Sequence, residues 1–161
     1  MDFKDRLQRA SDRGQQRRDD KLAVKAAKEI SEEECRRLHS SYRHTLTEVI
    51  EDRLQQLVDS FPGFRFETVV SEKGWGAAVA RDDLSLEAGK RANLFSRLEL
   101  LISPHNQYHV LELLAKGTVR NKENFTRSHY QLLRDADLDS FEQFIEQWTL
   151  DYAELFSAEG A

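Results

Sequence analysis

The stretch Leu94-Phe95-Ser96-Arg97-Leu98-Glu99-Leu100-Leu101-Ile102 decides the fold. Leu94, Leu98, Leu100 and Ile102 recur at every second position in phase with Ser96, and Arg97 and Glu99 fall between them. That period of two belongs to a strand with one buried face, not to a helix. Ser103 to Gln107 follows, and Pro104 and Asn106 mark it as a hairpin turn. The chain then returns with His109, Leu111, Leu113, Ala115, Gly117 and Val119 on one face. Two such strands joined by a short turn are antiparallel.

Similar signals lie on either side. Toward the N-terminus, Phe64, Phe66, Thr68 and Val70 alternate with Arg65, Glu67 and Ser71, and Lys73-Gly74 turns the chain into a second strand through Trp75, Ala77 and Val79, ending near Asp82. Asp83 to Arg91 reads as a connection. Toward the C-terminus, Asn121 to Asn124 is a turn, and Phe125 to Leu133 is a fifth strand, since Phe125, Thr126 and Tyr130 suit a pleated surface.

Helical periods flank the strands. Ser31 and Glu34 have the spacing of a capping box, and Leu38, Tyr42, Leu46, Val49, Ile50, Leu54, Leu57, Val58 and Phe61 form one apolar stripe that stops at Pro62-Gly63. At the other end Asp139 is a candidate cap for a helix whose stripe is Phe141, Phe144, Ile145, Trp148, Tyr152, Leu155 and Phe156. Strands clustered between helices, without βαβ alternation, give an α+β fold: a long N-terminal helix, an antiparallel sheet of four or five strands, and a C-terminal amphipathic helix packed on one sheet face.

The first 30 residues differ from the rest. They hold nine Lys or Arg against six Asp or Glu, whereas the other 131 hold fifteen against twenty-three. Their apolar residues form two narrow stripes, Phe3, Leu7 and Ala10, then Leu22, Ala26 and Ile30, with Gly14 between two weak helical pieces. The expected organisation is a basic helical or partly disordered arm over 1–30 and a single α+β domain over 31–161. The arm's basic residues are interleaved with acids, as in Arg17-Arg18-Asp19-Asp20, which disfavours nucleic acid as a partner. At 161 residues the chain is long enough to bury a core without disulfides, and its single cysteine, Cys35, excludes an intramolecular disulfide and any cysteine-rich metal site. No apolar run approaches the roughly 20 residues of a membrane-spanning helix and no apolar leader follows the first charges, so the expected compartment is the cytoplasm and no membrane partner is expected.

Chemical motifs are sparse. Gly74-Trp75-Gly76 fits neither a dinucleotide fingerprint nor a phosphate loop, and no Gly-x-Ser-x-Gly or His-Glu-x-x-His occurs. Cys35 follows Glu32, Glu33 and Glu34, which oppose any activation of its thiol. His105 and His109 flank the hairpin tip, but spacing alone assembles no metal site. No catalytic residue, metal ligand or cofactor site is therefore assigned.

The remaining candidate surface is the second face of the sheet, where Arg97, Glu99, Glu112, Lys116, Arg120 and His129 are candidate ligand-binding residues. Phe95, Leu101, Val110 and Leu114 on the same face are candidate interface residues. A charged and apolar mixture of this kind fits a covered surface better than a fully wet one. The expectation is a non-catalytic protein-interaction or scaffolding module that forms a homodimer. The alternative is a small-molecule or anion-binding domain, or an enzyme, that uses the polar face.

Overall fold

The computed structural model describes residues 2–159, the side chains of residues 28–30 excepted, so Ile30 of the second arm stripe lies outside the described side chains. The elements are α1 (Phe3–Ser60), β1 (Arg65–Ser71), β2 (Gly74–Glu87), β3 (Lys90–Ile102), β4 (Val110–Val119), β5 (Lys122–Leu132), a short 3-10 turn at Leu133–Asp135, and α2 (Leu138–Glu159). The α+β reading holds, with five strands in the sheet. By its contacts the chain divides into one unit that ends at Arg37 and another that begins at Leu38.

The first unit is helical and residues 2–27 are exposed throughout, Phe3, Leu7, Leu22 and Val24 among them. Helical pairs such as Gln8 to Asp12 and Gln16 to Asp20 support it locally. Two expectations fail here: the helix breaks neither at Gly14 nor at Ser31. A glycine costs a helix only about 1 kcal/mol, and the surrounding Arg, Gln, Lys, Ala and Glu are good helix formers. Ser31 is thus an interior residue and not a cap.

The second unit holds the sheet, whose strands follow the order β1-β2-β3-β4-β5 with every neighbour antiparallel. Leu46, Ile50, Leu54 and Leu57 of α1 are buried, as are Phe141, Ile145, Trp148, Tyr152 and Phe156 of α2. Both stripes lie on one sheet face, against Val79, Leu98, Leu100, Ile102, Leu111 and Leu113. Gly117 brings α2 in close: a Cβ at this position would stand 3.0 Å from the Tyr152 ring. Tyr152 in turn donates its hydroxyl to the Thr118 carbonyl at 2.7 Å, and burial raises its pKa. Arg53 joins the two helices through Glu142 and Glu146, at 2.9 and 2.8 Å, and also contacts Asp52.

Three local expectations need correcting. Asp83 to Arg91 is no loose connection, because β2 continues to Glu87 and turns through Ala88-Gly89 straight into Lys90. Both turn residues have positive φ, 51° and 74°, which matches the twist of a two-residue hairpin. The β4–β5 turn is Arg120-Asn121, again with positive φ at both residues, and β5 begins at Lys122 instead of Phe125. At α2 the cap is Asp137, whose carboxylate accepts from the Asp139 amide at 3.1 Å, so Asp139 already lies inside the helix.

Candidate functional site

Among the described residues of the second unit, no helix lies on the opposite face of the sheet, and strand register specifies what stands on it. One row across all five strands reads Val69, Gly76, Leu101, Leu114, Ser128; the next reads Glu67, Ala78, Glu99, Lys116, Thr126; a third reads Arg65, Ala80, Arg97, Thr118. The first row is apolar through its centre and the other two are charged at intervals. Val110, paired with Leu132, lies further along the same face, while Phe95 stands beside the third row. The four expected interface residues, Phe95, Leu101, Val110 and Leu114, therefore share this face.

Small residues on β2 shape the middle of the surface. Ala78 and Ala80 stop at Cβ, and Arg97 on β3 reaches across them to Glu67 on β1, 2.7 Å away, while also binding Glu99 at 2.8 Å. The guanidinium thus roofs the two alanines, which are 0% and 8% exposed although no helix covers them. Gly76, further along β2, serves a different need. A Cβ there would lie 2.0 Å from the Leu100 carbonyl oxygen, so only glycine lets β2 and β3 approach at this point.

The charges are spent on one another. Arg97 has two carboxylates, Arg65 has Asp82 at 3.1 Å, Lys116 has Glu123 at 3.9 Å, and Glu112 accepts from the Ser103 hydroxyl at 2.9 Å. Each exposed pair contributes under about 1 kcal/mol, so their chief effect is a face without a strong field. A recess of about 270 Å³ lies among Lys73, Phe95, Arg97, Glu99, Lys116 and Thr118. It falls just below the roughly 300 to 1,000 Å³ of ordinary ligand pockets, and its one arginine is neutralised.

The six candidate ligand residues therefore divide. Arg97, Glu99 and Lys116 come together, and Glu112 shares their face but lies beyond the apolar row. His129 and Arg120 do not join them, which corrects their placement in the polar layer. His129 pairs with Leu113 on the helix-covered face, its ring 4.2 Å from that of Phe144 and 5.1 Å from that of Phe141, and burial lowers its pKa. The alternation misled because register slips at Gly117/Thr118 and leaves Asn124 unopposed, so odd-numbered residues of β5 face the helices. Arg120 sits in the turn at φ 48° and extends over the Phe156 ring, 5.5 Å from its centre.

Outside this face, two polar groupings merit description. Around Phe156, Arg81 and Arg120 approach the same ring; Arg81 binds Asp83 at 2.8 Å and the Pro62 carbonyl at 2.9 Å. Near the β3–β4 connection, the buried His39 donates Nε2–H to the Ser103 carbonyl at 3.0 Å, and His105 Nε2 lies 3.4 Å from His109 Nδ1. Burial is the main cause that lowers the His39 pKa; the Ser103 carbonyl opposes it, and His105 and Arg43 assist. No group of three or more His, Cys, Asp or Glu among the described residues is arranged to hold a metal ion. Cys35 is buried, and no helix among the described residues is long and apolar enough to cross a membrane.

Sequence reasoning missed the arm formed by β2 and β3. β1 pairs with β2 only as far as Ala80, and β4 pairs with β3 only from Arg97, so Arg81–Glu87 and Lys90–Ser96 pair with each other beyond the sheet. Alternating Leu84 and Leu86 was the available signal, obscured by the charges at Asp82, Asp83, Glu87, Lys90 and Arg91. No family model, curated protein or solved structure matches the chain.

Proposed function

We propose that this protein is a non-catalytic interaction module that binds another protein through the uncovered sheet face and forms a homodimer there. One observation carries this reading: the face has an apolar row, half-buried Val69 and Leu114 on either side of the nearly buried Leu101, bordered by ion pairs that already neutralise each other. A site built to hold a charged metabolite keeps unspent charge aimed into a pocket, whereas an interface benefits from charges that need no rescue when water leaves. Tyr130, 64% exposed, and Phe95 add aromatic surface of the kind enriched at protein contacts. Sedimentation of the full chain over a range of concentrations tests the reading, with a reversible dimer expected for the unaltered protein. Leu114→Glu places an unpaired charge in the apolar row and is expected to give a folded monomer. A monomer at every concentration for the unaltered chain overturns the homodimer.

A further inference from the structure

We propose that the β2–β3 hairpin beyond Ala80 and Arg97 is a docking arm that lays Leu84 and Leu86 against a second copy of this chain. The proposal rests on the sheet-face reading above and extends it to a new element. Seven residue pairs, from Arg81 opposite Ser96 to Glu87 opposite Lys90, stand outside the five-stranded sheet. From outside the ribbon, Asn121 bonds the Asn93 carbonyl at 2.9 Å and the Phe95 amide at 2.8 Å through its side chain and the Phe95 carbonyl at 2.8 Å through its amide, and the Arg120 amide donates to the Ser96 hydroxyl at 3.0 Å; these bonds reach the ribbon between Asn93 and Ser96, short of its turn. A lone two-stranded ribbon is marginal in water, and an open strand edge invites pairing unless it is covered. Leu84 and Leu86 are 56% and 72% exposed, and alternation places them on the same side as Ala78 and Ala80, the uncovered side.

Area favours a copy of this chain that engages both parts. Five strands about 4.8 Å apart, over the six residue pairs shared by β3 and β4, offer a footprint of roughly 500 Å². The arm adds roughly 230 Å². A stable interface takes about 800 Å² from each partner, so the sheet face alone falls short and the two together come close. A twofold axis also sets the apolar row against itself, which like-charge repulsion does not oppose, because Arg97, Lys116 and Arg65 each carry their own carboxylate. Two of the arm's acids are similarly answered, Asp82 by Arg65 and Asp83 by Arg81.

The test compares the unaltered full chain with Leu84→Ser/Leu86→Ser and with Leu114→Glu by sedimentation, each checked by thermal melting. The expected result is that the arm variant melts like the unaltered chain yet weakens dimerisation by about tenfold or more. Dimerisation of the arm variant at the unaltered affinity overturns the arm's role and leaves the sheet-face reading standing. A monomeric unaltered chain, or a dimer that neither variant weakens, overturns both. Hydrogen exchange of the unaltered chain supplies a measurement independent of any variant. Amides of residues 82–87 are expected to gain protection at concentrations that favour the dimer, and exchange that does not change with concentration overturns the proposal.

Discussion

The two faces of one sheet are built from the same strands and differ in every respect that governs partnership. On the helix-covered face, Leu98, Leu100, Ile102, Leu111 and Leu113 are at most 0% exposed, sealed by α1 and α2. On the other, Ala78 and Ala80 reach 0% and 8% exposure beneath the guanidinium of Arg97, which spans them to Glu67. Low accessibility therefore has two causes here, a packed core and a polar roof, and mutation should separate them.

The largest contrast is expected inside the covered face. Phe141→Ala removes a fully buried ring between α2 and the sheet and should cost about 3–5 kcal/mol, read as a lower denaturant midpoint. Tyr130→Ala on the uncovered face should stay within about 0.5 kcal/mol, and a comparable loss at both positions would erase the distinction between the faces. Gly76→Ala tests the backbone that the faces share. Its methyl would overlap the Leu100 carbonyl, so we expect a loss of about 3 kcal/mol through strand separation, even though alanine is well tolerated two residues on at Ala78.

A pH dependence should follow the covered face. His39 and His129 both titrate below the ordinary histidine value of about 6.5, chiefly because burial disfavours their charged forms. Their contribution to stability is therefore complete above that value and is lost as pH falls through the lowered pKa, where the unfolded chain binds more protons. Asp151, whose pKa Arg127 depresses, loses its contribution only below the ordinary carboxylate range, so the two windows are separate. Urea midpoints at neutral pH and about pH 5 should differ for the unaltered chain and differ less for His39→Gln/His129→Gln. An unchanged pH slope in the double variant would remove the histidines as its source. A small loss, under about 1 kcal/mol, is expected for Arg97→Ala, with Ala78 and Ala80 newly open to solvent.

Much of the covered face was legible because a period of two or of 3.6 records burial directly, as at Leu98, Leu100 and Ile102 or at Ile145, Trp148 and Tyr152. The same alternation placed Arg97, Glu99, Glu112 and Lys116 correctly on the other side. It failed for His129 because one unopposed residue, Asn124, inverts every position that follows. It failed for Arg120 because a turn residue at positive φ belongs to neither strand face. Helix boundaries were obscured for another reason: Ser31 and Gly14 carry end signals that are weak beside the helix-forming residues around them. The arm stayed hidden because the charges around Leu84 and Leu86 mask their alternation.

Strand order has a kinetic consequence. Every strand pairs with its sequence neighbour, so each pairing closes a short loop, and three of the closures are two-residue turns that begin at Glu72, Ala88 and Arg120. Short closures lower the search cost, and local topologies fold faster than those that join distant segments. The β2–β3 ribbon, with thirteen pairs the longest among the described residues, is suited to form early and present Gly74–Ala80 as a template for β1 and Arg97–Ile102 as a template for β4. The arm proposed to meet another copy is then also the portion of this nucleus closest to its turn.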